Sequence, residues 1–271
     1  MAVRPSTIIV FGFIHFESQS YTDPTKEKKV TIKSQTVTYT AGEDELKGYM
    51  AFNDESESAR PGVMVVHEWW GLDDYIRTRT NNLAALGYTA LAIDMYGNGA
   101  TADSPDEAGG MMNSVLGNME IGTSRLRAAH DFLCAQPVVD KTRTAAIGYC
   151  FGGAMVLHMA RIGMPLKAVV SFHGALGSFH APTQGEIQSR ILICHGAKDS
   201  LVPQSDIEVF HAEMATAEAS VKFESYEGAL HGFTNPEATE RGQNYGLPLA
   251  YDQRADDASW SEMKILFDEV F

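Results

Sequence analysis

From Val37 onward the apolar positions follow two rhythms, alternation and short continuous runs. Val37 and Tyr39 alternate with threonines, as in a half-buried strand. Ala41-Gly42-Glu43-Asp44 reads as a turn, and Leu46, Gly48, Met50 and Phe52 alternate again, so the segment predicts an antiparallel hairpin. Asn53–Ser58 is a polar turn. Val63-Met64-Val65-Val66 is then apolar throughout, the pattern of a strand covered on both faces. Asp74 is placed to cap a helix ending at Gly87, and Leu91-Ala92-Ile93 is the next strand. Strands are expected near 143–148, 167–172, 190–195 and 221–226, with helices between them. Trp260, Met263, Leu266, Phe267 and Val270 recur at helical spacing, so Asp252–Phe271 should pack back on the sheet. Two long segments, Tyr96–Ser104 and Asn235–Leu249, lack periodicity, follow strands and are expected to shape a pocket. Residues 18–34 are polar and charged and read as a linker. The expected architecture is an N-terminal extension or linker over 1–34 and one α/β domain over 35–271. That domain has a mostly parallel central sheet, helices on both faces and an N-terminal antiparallel hairpin.

Composition narrows the function classes. At 271 residues and 44% apolar content, one domain with an ample core is expected. A net charge of −14 opposes nucleic-acid and anionic-membrane partners. No phosphate-binding loop is present. Cys134, Cys150 and Cys194 make no disulfide framework, and no His-x-x-x-His or Cys-x-x-Cys spacing suggests a metal, so neither metal nor cofactor is expected. Cys134 and Cys194 read as inert core residues. No apolar run reaches transmembrane length. Arg4 followed by Ile8–Ile14 resembles a short signal-peptide core, but His15-Phe16-Glu17 follows where a cleavage site should be. A cytoplasmic location is therefore expected, with export as the alternative. Oligomeric state stays open.

The candidate chemistry centres on Gly148-Tyr149-Cys150-Phe151-Gly152-Gly153, between the apolar run Thr144–Ile147 and a helical pattern through Met155, Leu157 and Met159. This is the strand-to-helix nucleophile elbow, G-x-S-x-G, with sulfur in place of the hydroxyl. Glycines must flank so tight a turn, and the helix N-terminus favours negative charge on the sulfur. The competing reading is a buried cysteine before a glycine-rich packing turn. Asp199 follows the strand Ile191–Cys194, and His231 follows Val221–Tyr226, so nucleophile, acid and histidine come in the elbow order. All three would lie at the C-terminal ends of strands, where open α/β sheets bind ligands. The oxyanion of an acyl transfer needs two N–H donors: Phe151, after the nucleophile, and Trp69, in the loop after Val63–Val66.

His67-Glu68-Trp69-Trp70-Gly71, Asp94-Met95-Tyr96-Gly97, the Cys150 elbow, Ser171-Phe172-His173-Gly174, His195–Asp199 and His231-Gly232-Phe233 together resemble the dienelactone hydrolase family, of α/β-hydrolase fold. The resemblance implies Cys150 as nucleophile, His231 as base and Asp199 as its orienting partner. It implies that Glu68 bonds the resting thiol and helps shuttle its proton. The expected activity is hydrolysis of small ester or lactone substrates through a thioester acyl-enzyme. The family's two carboxylate-holding arginines are absent: Tyr96 is followed by Gly97-Asn98-Gly99, and His231 by Gly232-Phe233-Thr234-Asn235. Dienelactone itself is therefore not the expected substrate. Trp69, Tyr96 and Phe233 are expected to offer an apolar substrate wall, although Tyr96 reads equally well as a structural hydrogen-bond donor. Trp70, His67, His173 and His195 read as structural. The alternative function is a non-catalytic α/β-hydrolase-like binding module or a thiol redox sensor. A binding module has no need of Asp199 and His231, and a sensor lacks a resolving cysteine nearby.

Overall fold

A computed structural model of the protein describes residues 17–22, 29–54 and 58–271. The apolar stretch Ile8–Ile14 lies outside the described residues. Among the described residues nine strands form one sheet in the order β1-β2-β3-β5-β4-β6-β7-β8-β9. β1 (Glu17–Thr22), β2 (Lys29–Ala41) and β3 (Asp44–Asn53) are an antiparallel wing, joined to the body where β3 pairs with β5 (Thr89–Ile93). β4 (Arg60–Val66), β5, β6 (Val139–Tyr149), β7 (Ala168–Phe172), β8 (Arg190–Gly196) and β9 (Val221–Tyr226) run parallel.

Burial explains the apolar runs. On β4, Met64 and Val66 pack into one core, while Val63 and Val65 pack into the other, and all four are sealed from solvent. Helices α2 (Pro105–Leu116), α3 (Met119–Cys134), α4 (Phe151–Arg161) and α5 (Gln204–Thr216) cover the first face. α1 (Asp74–Ala85) and α7 (Gln253–Val270) cover the second, through Ile76, Leu83, Met263 and Phe267. α6 (Ala238–Tyr245) lies near the C-terminal ends of the strands. Among the described residues, no helix is long and apolar enough to cross a membrane.

Four expectations are corrected. Residues 17–22 and 29–34, read as part of a linker, are strands: Ile32 is buried opposite Asn53, and β1 pairs along β2 from Glu17↔Ser34 to Thr22↔Lys29. The cap of α1 is Asp73, whose carboxylate accepts from the Ile76 N–H; Asp74 is in the first turn. The segment 235–249 contains α6. Cys194 is buried in β8 as expected, but Cys134 is only partly covered, at the end of α3 beside His130.

Candidate active site

Cys150 sits between the last residue of β6 and the first of α4 with φ 53° and ψ −116°. That backbone is costly for a residue with a side chain, on the order of 1–3 kcal/mol, and persists only where its surroundings enforce it. Here the Cys150 N–H donates to the Phe172 carbonyl (3.0 Å) and to His173 Nδ1 (3.2 Å). The flanking glycines answer to close approach. A Cβ at Gly148 would lie 2.0 Å from the Gly152 carbonyl oxygen, and one at Gly152 would lie 2.2 Å from that of Val66. Only bare backbone lets the first turn of α4 press against β4 and β6.

β8 and β9 deliver the other two groups. Asp199 and His231 are both 5% exposed. His231 Nδ1 lies 2.8 Å from Asp199 Oδ2, while Asp199 Oδ1 accepts from the Leu201 N–H at 2.9 Å. Since a carboxylate only accepts, Nδ1 carries the proton, and Nε2 is the ring nitrogen left for Cys150. Nε2 is sealed from solvent with no well-formed hydrogen bond, and the Cys150 sulfur acts on the ring as a nearby charge and an imperfectly aligned acceptor. Burial alone would lower the ring's pKa. The electrostatic and hydrogen-bonding pull of Cys150 and Asp199 outweighs it and pushes the imidazole up to about 10.

Glu68 follows β4 and is 5% exposed. Its Oε2 accepts from Asn235 Nδ2 at 2.6 Å, and the Asn235 Oδ1 in turn accepts from the Glu237 N–H at 2.9 Å, which fixes the amide's orientation. Burial, reinforced by the charge of Asp73, pushes Glu68 up to about 7, against the lowering effects of Asn235, His231 and Arg241. The resemblance implies a bond from Glu68 to the resting thiol. Among the described residues Glu68 instead bonds Asn235, although Glu68 and Cys150 line the same cavity.

That cavity holds about 390 Å³ and has Glu68, Cys150 and His231 in its lining. Trp69, Met112, Leu116, Phe151, Leu247 and Leu249 make its walls apolar. The segment 235–249 contributes as expected. Tyr96–Ser104 does not, because Asp94 reels it in: its carboxylate accepts from the N–H groups of Tyr96, Gly97 and Gly99. α2 supplies that wall instead. Of the two readings of Tyr96 the structure selects the second: its hydroxyl donates to the Trp69 carbonyl (2.9 Å) and its ring stacks behind Phe151. Phe233 is no substrate wall. It is fully buried against His173 and Tyr226, since its side chain points into the core.

Arg241 also lines the cavity. It pairs with Glu237 (2.6 Å) and Asp73 (3.4 Å) and lies over the Trp70 ring at 4.6 Å. Arg79 is committed elsewhere, to Asp256 (2.6 Å) and the Thr234 carbonyl (2.5 Å), and Arg77 stacks on Tyr49. The role of Asn235 was missed; its place four residues after His231 was the available signal. Among the described residues no group of three His, Cys, Asp or Glu side chains is arranged to hold a metal.

The family model described as the dienelactone hydrolase family matches residues 46–271. A Synechocystis protein with the provisional name carboxymethylenebutenolidase is 29% identical over 252 residues, covering 88% of this chain and 97% of its own. An uncharacterised protein of Caenorhabditis elegans is 33% identical over 149 residues, 54% of this chain and 92% of its own. Among solved structures, a dienelactone hydrolase-like promiscuous phosphotriesterase from metagenomic libraries superposes with a TM-score of 0.81 at 36% identity. That match covers 89% of this chain and 99% of the other.

Proposed function

The chain belongs to the dienelactone hydrolase family, and on that premise we propose that it hydrolyses small neutral esters or lactones through a thioester on Cys150. The observation that carries this reading is the elbow itself. Cys150 is held at φ 53° over the first turn of α4, facing a histidine that is locked 2.8 Å from a buried aspartate.

In this mechanism the Cys150 sulfur attacks the carbonyl carbon and forms a C–S bond. The electron pair of the C=O moves to oxygen, where the N–H groups of Phe151 and Trp69 stabilise it; losing one such donor typically costs about 10²–10³ in turnover. His231 Nε2–H protonates the departing alkoxide as the tetrahedral intermediate collapses. The neutral ring then takes a proton from water, whose oxygen attacks the thioester, and the acid product leaves with the sulfur restored as thiolate. Asp199 keeps Nε2 aimed at these atoms. Glu68, with its carboxyl pushed up to about 7, is placed to exchange a proton with the site near neutrality.

The apolar walls and the paired state of Arg241 support a neutral substrate. Neutral phosphotriesters share that property, and the name of the metagenomic relative makes them a fitting addition to a substrate screen. The test is a panel of p-nitrophenyl esters, lactones and a phosphotriester against wild type and Cys150→Ala. Loss of ester turnover in the variant is expected. Undiminished turnover would sink the reading, and thiol oxidation without any turnover would favour a redox sensor.

A further inference from the structure

His173 carries a side chain at φ 40°, a backbone conformation that favours glycine, and it is fully buried at the end of β7. Its ring bridges two catalytic loops. Nδ1 accepts from the Cys150 N–H at 3.2 Å, so the hydrogen is on Nε2, which donates to Thr234 Oγ1 at 2.7 Å. Thr234 lies three residues after His231, and the His173 ring stands edge-on to that of His231 at 5.2 Å. Thr234 is itself clamped. Its hydroxyl is 2.7 Å from that of Tyr75, and its carbonyl accepts from Arg79, which is anchored on Asp256 at 2.6 Å.

We propose that His173 and Thr234 are positioning residues, a two-bond strut that sets the distance from the Cys150 elbow to the His231 loop. The inference rests on Cys150 and His231 acting as the reacting pair. The ring must stay neutral for Nδ1 to accept, and its surroundings hold it so: burial first, then the like charges of His231 and Arg79, lower its proton affinity well below the usual histidine range. A strained backbone is retained here because glycine, which relaxes the strain, offers no ring to span the gap.

Thr234→Val keeps the shape and removes the acceptor, and Thr234→Ser restores the hydroxyl. Two readouts are needed: kcat and KM for p-nitrophenyl acetate, and the alkylation rate of Cys150 by iodoacetamide at fixed pH, followed by peptide mass spectrometry. The valine variant should lose about tenfold or more in kcat, the scale of a slightly misplaced reacting group, with KM nearly unchanged. Its Cys150 alkylation rate should differ from wild type, and serine should recover both readouts. If valine does not fold, Thr234→Ala takes its place under the same criteria. A folded variant with wild-type kcat and alkylation would overturn the strut, as would a rise in KM at constant kcat or a serine variant as impaired as valine. Cys150→Ala is measured alongside. Turnover surviving in it refutes the nucleophile, while alkylation of wild type and Thr234 variants still judges the strut without turnover.

Discussion

The Asn235 amide donates to the buried Glu68 carboxylate across 2.6 Å, linking the loop after β4 to the loop after β9. A guanidinium in that place would hold Glu68 firmly as a carboxylate. A neutral amide gives weaker support, so burial and Asp73 prevail and the carboxyl rises to about 7.

Glu68 should therefore leave a mark on stability against pH. Its folded value of about 7 lies above the ordinary 4.5, so the protonated form favours the fold. That contribution is complete below the unfolded value and is lost as pH rises through the folded one, a loss of up to about 3 kcal/mol. Glu68→Gln can still accept from Asn235 and does not titrate. Between pH 5 and pH 8 its unfolding free energy should fall less than that of wild type, by urea denaturation. Parallel curves would show that Glu68 does not titrate in this window.

Cys150→Ala should lose at least about 10³-fold in kcat for a small aryl ester, as expected for a nucleophile. Its thermal midpoint should not fall, since alanine is smaller and the turn is unchanged. Residual activity within about tenfold of wild type would move the chemistry to another residue.

Substrate charge is the third test. Glu237 and Asp73 both engage Arg241 Nη2 and leave Nη1 without a partner, so a substrate carboxylate entering the cavity would lose water for one nitrogen rather than a free bidentate fork. A neutral aryl ester should show a higher kcat/KM than cis-dienelactone at equal salt. The reverse order would mean that Arg241 leaves its carboxylates for the substrate, and Arg241→Gln would then abolish the preference.

Gly152→Ala should destabilise the protein by about 3 kcal/mol or more, because the new methyl meets backbone oxygens that cannot rotate away. Those of Val66 and His67 lie 2.2 and 2.7 Å from the added carbon. Chemical denaturation measures this directly. A change below about 1 kcal/mol would show that α4 can lift off β4 cheaply.

The parallel body of the sheet was legible because each strand is covered on both faces, which leaves unbroken runs such as Val63–Val66. The candidate triad was legible because each of its members follows a strand. The wing was less so: β1 and the start of β2 owe their place to pairing with distant chain, and Lys29 or Thr31 carries no local sign of it. Asp73 and Asp74 are adjacent carboxylates, and only the turn's geometry selects the capping one. α6 hid in a polar stretch because it buries little more than Ala238 and Gly242. Phe233 was misplaced because its closeness in sequence to His231 says nothing about which way its ring turns.

The strand order has a consequence for how the chain comes alive. Glu68, Cys150, Asp199 and His231 meet only when β4, β6, β8 and β9 lie in one sheet, and β9 is made well after β4 and β6. Contacts between such distant segments form late and cooperatively. A nascent or partly unfolded chain thus carries a plain cysteine with no histidine beside it. The pairing of thiol and imidazole belongs to the assembled sheet and to no shorter piece of it.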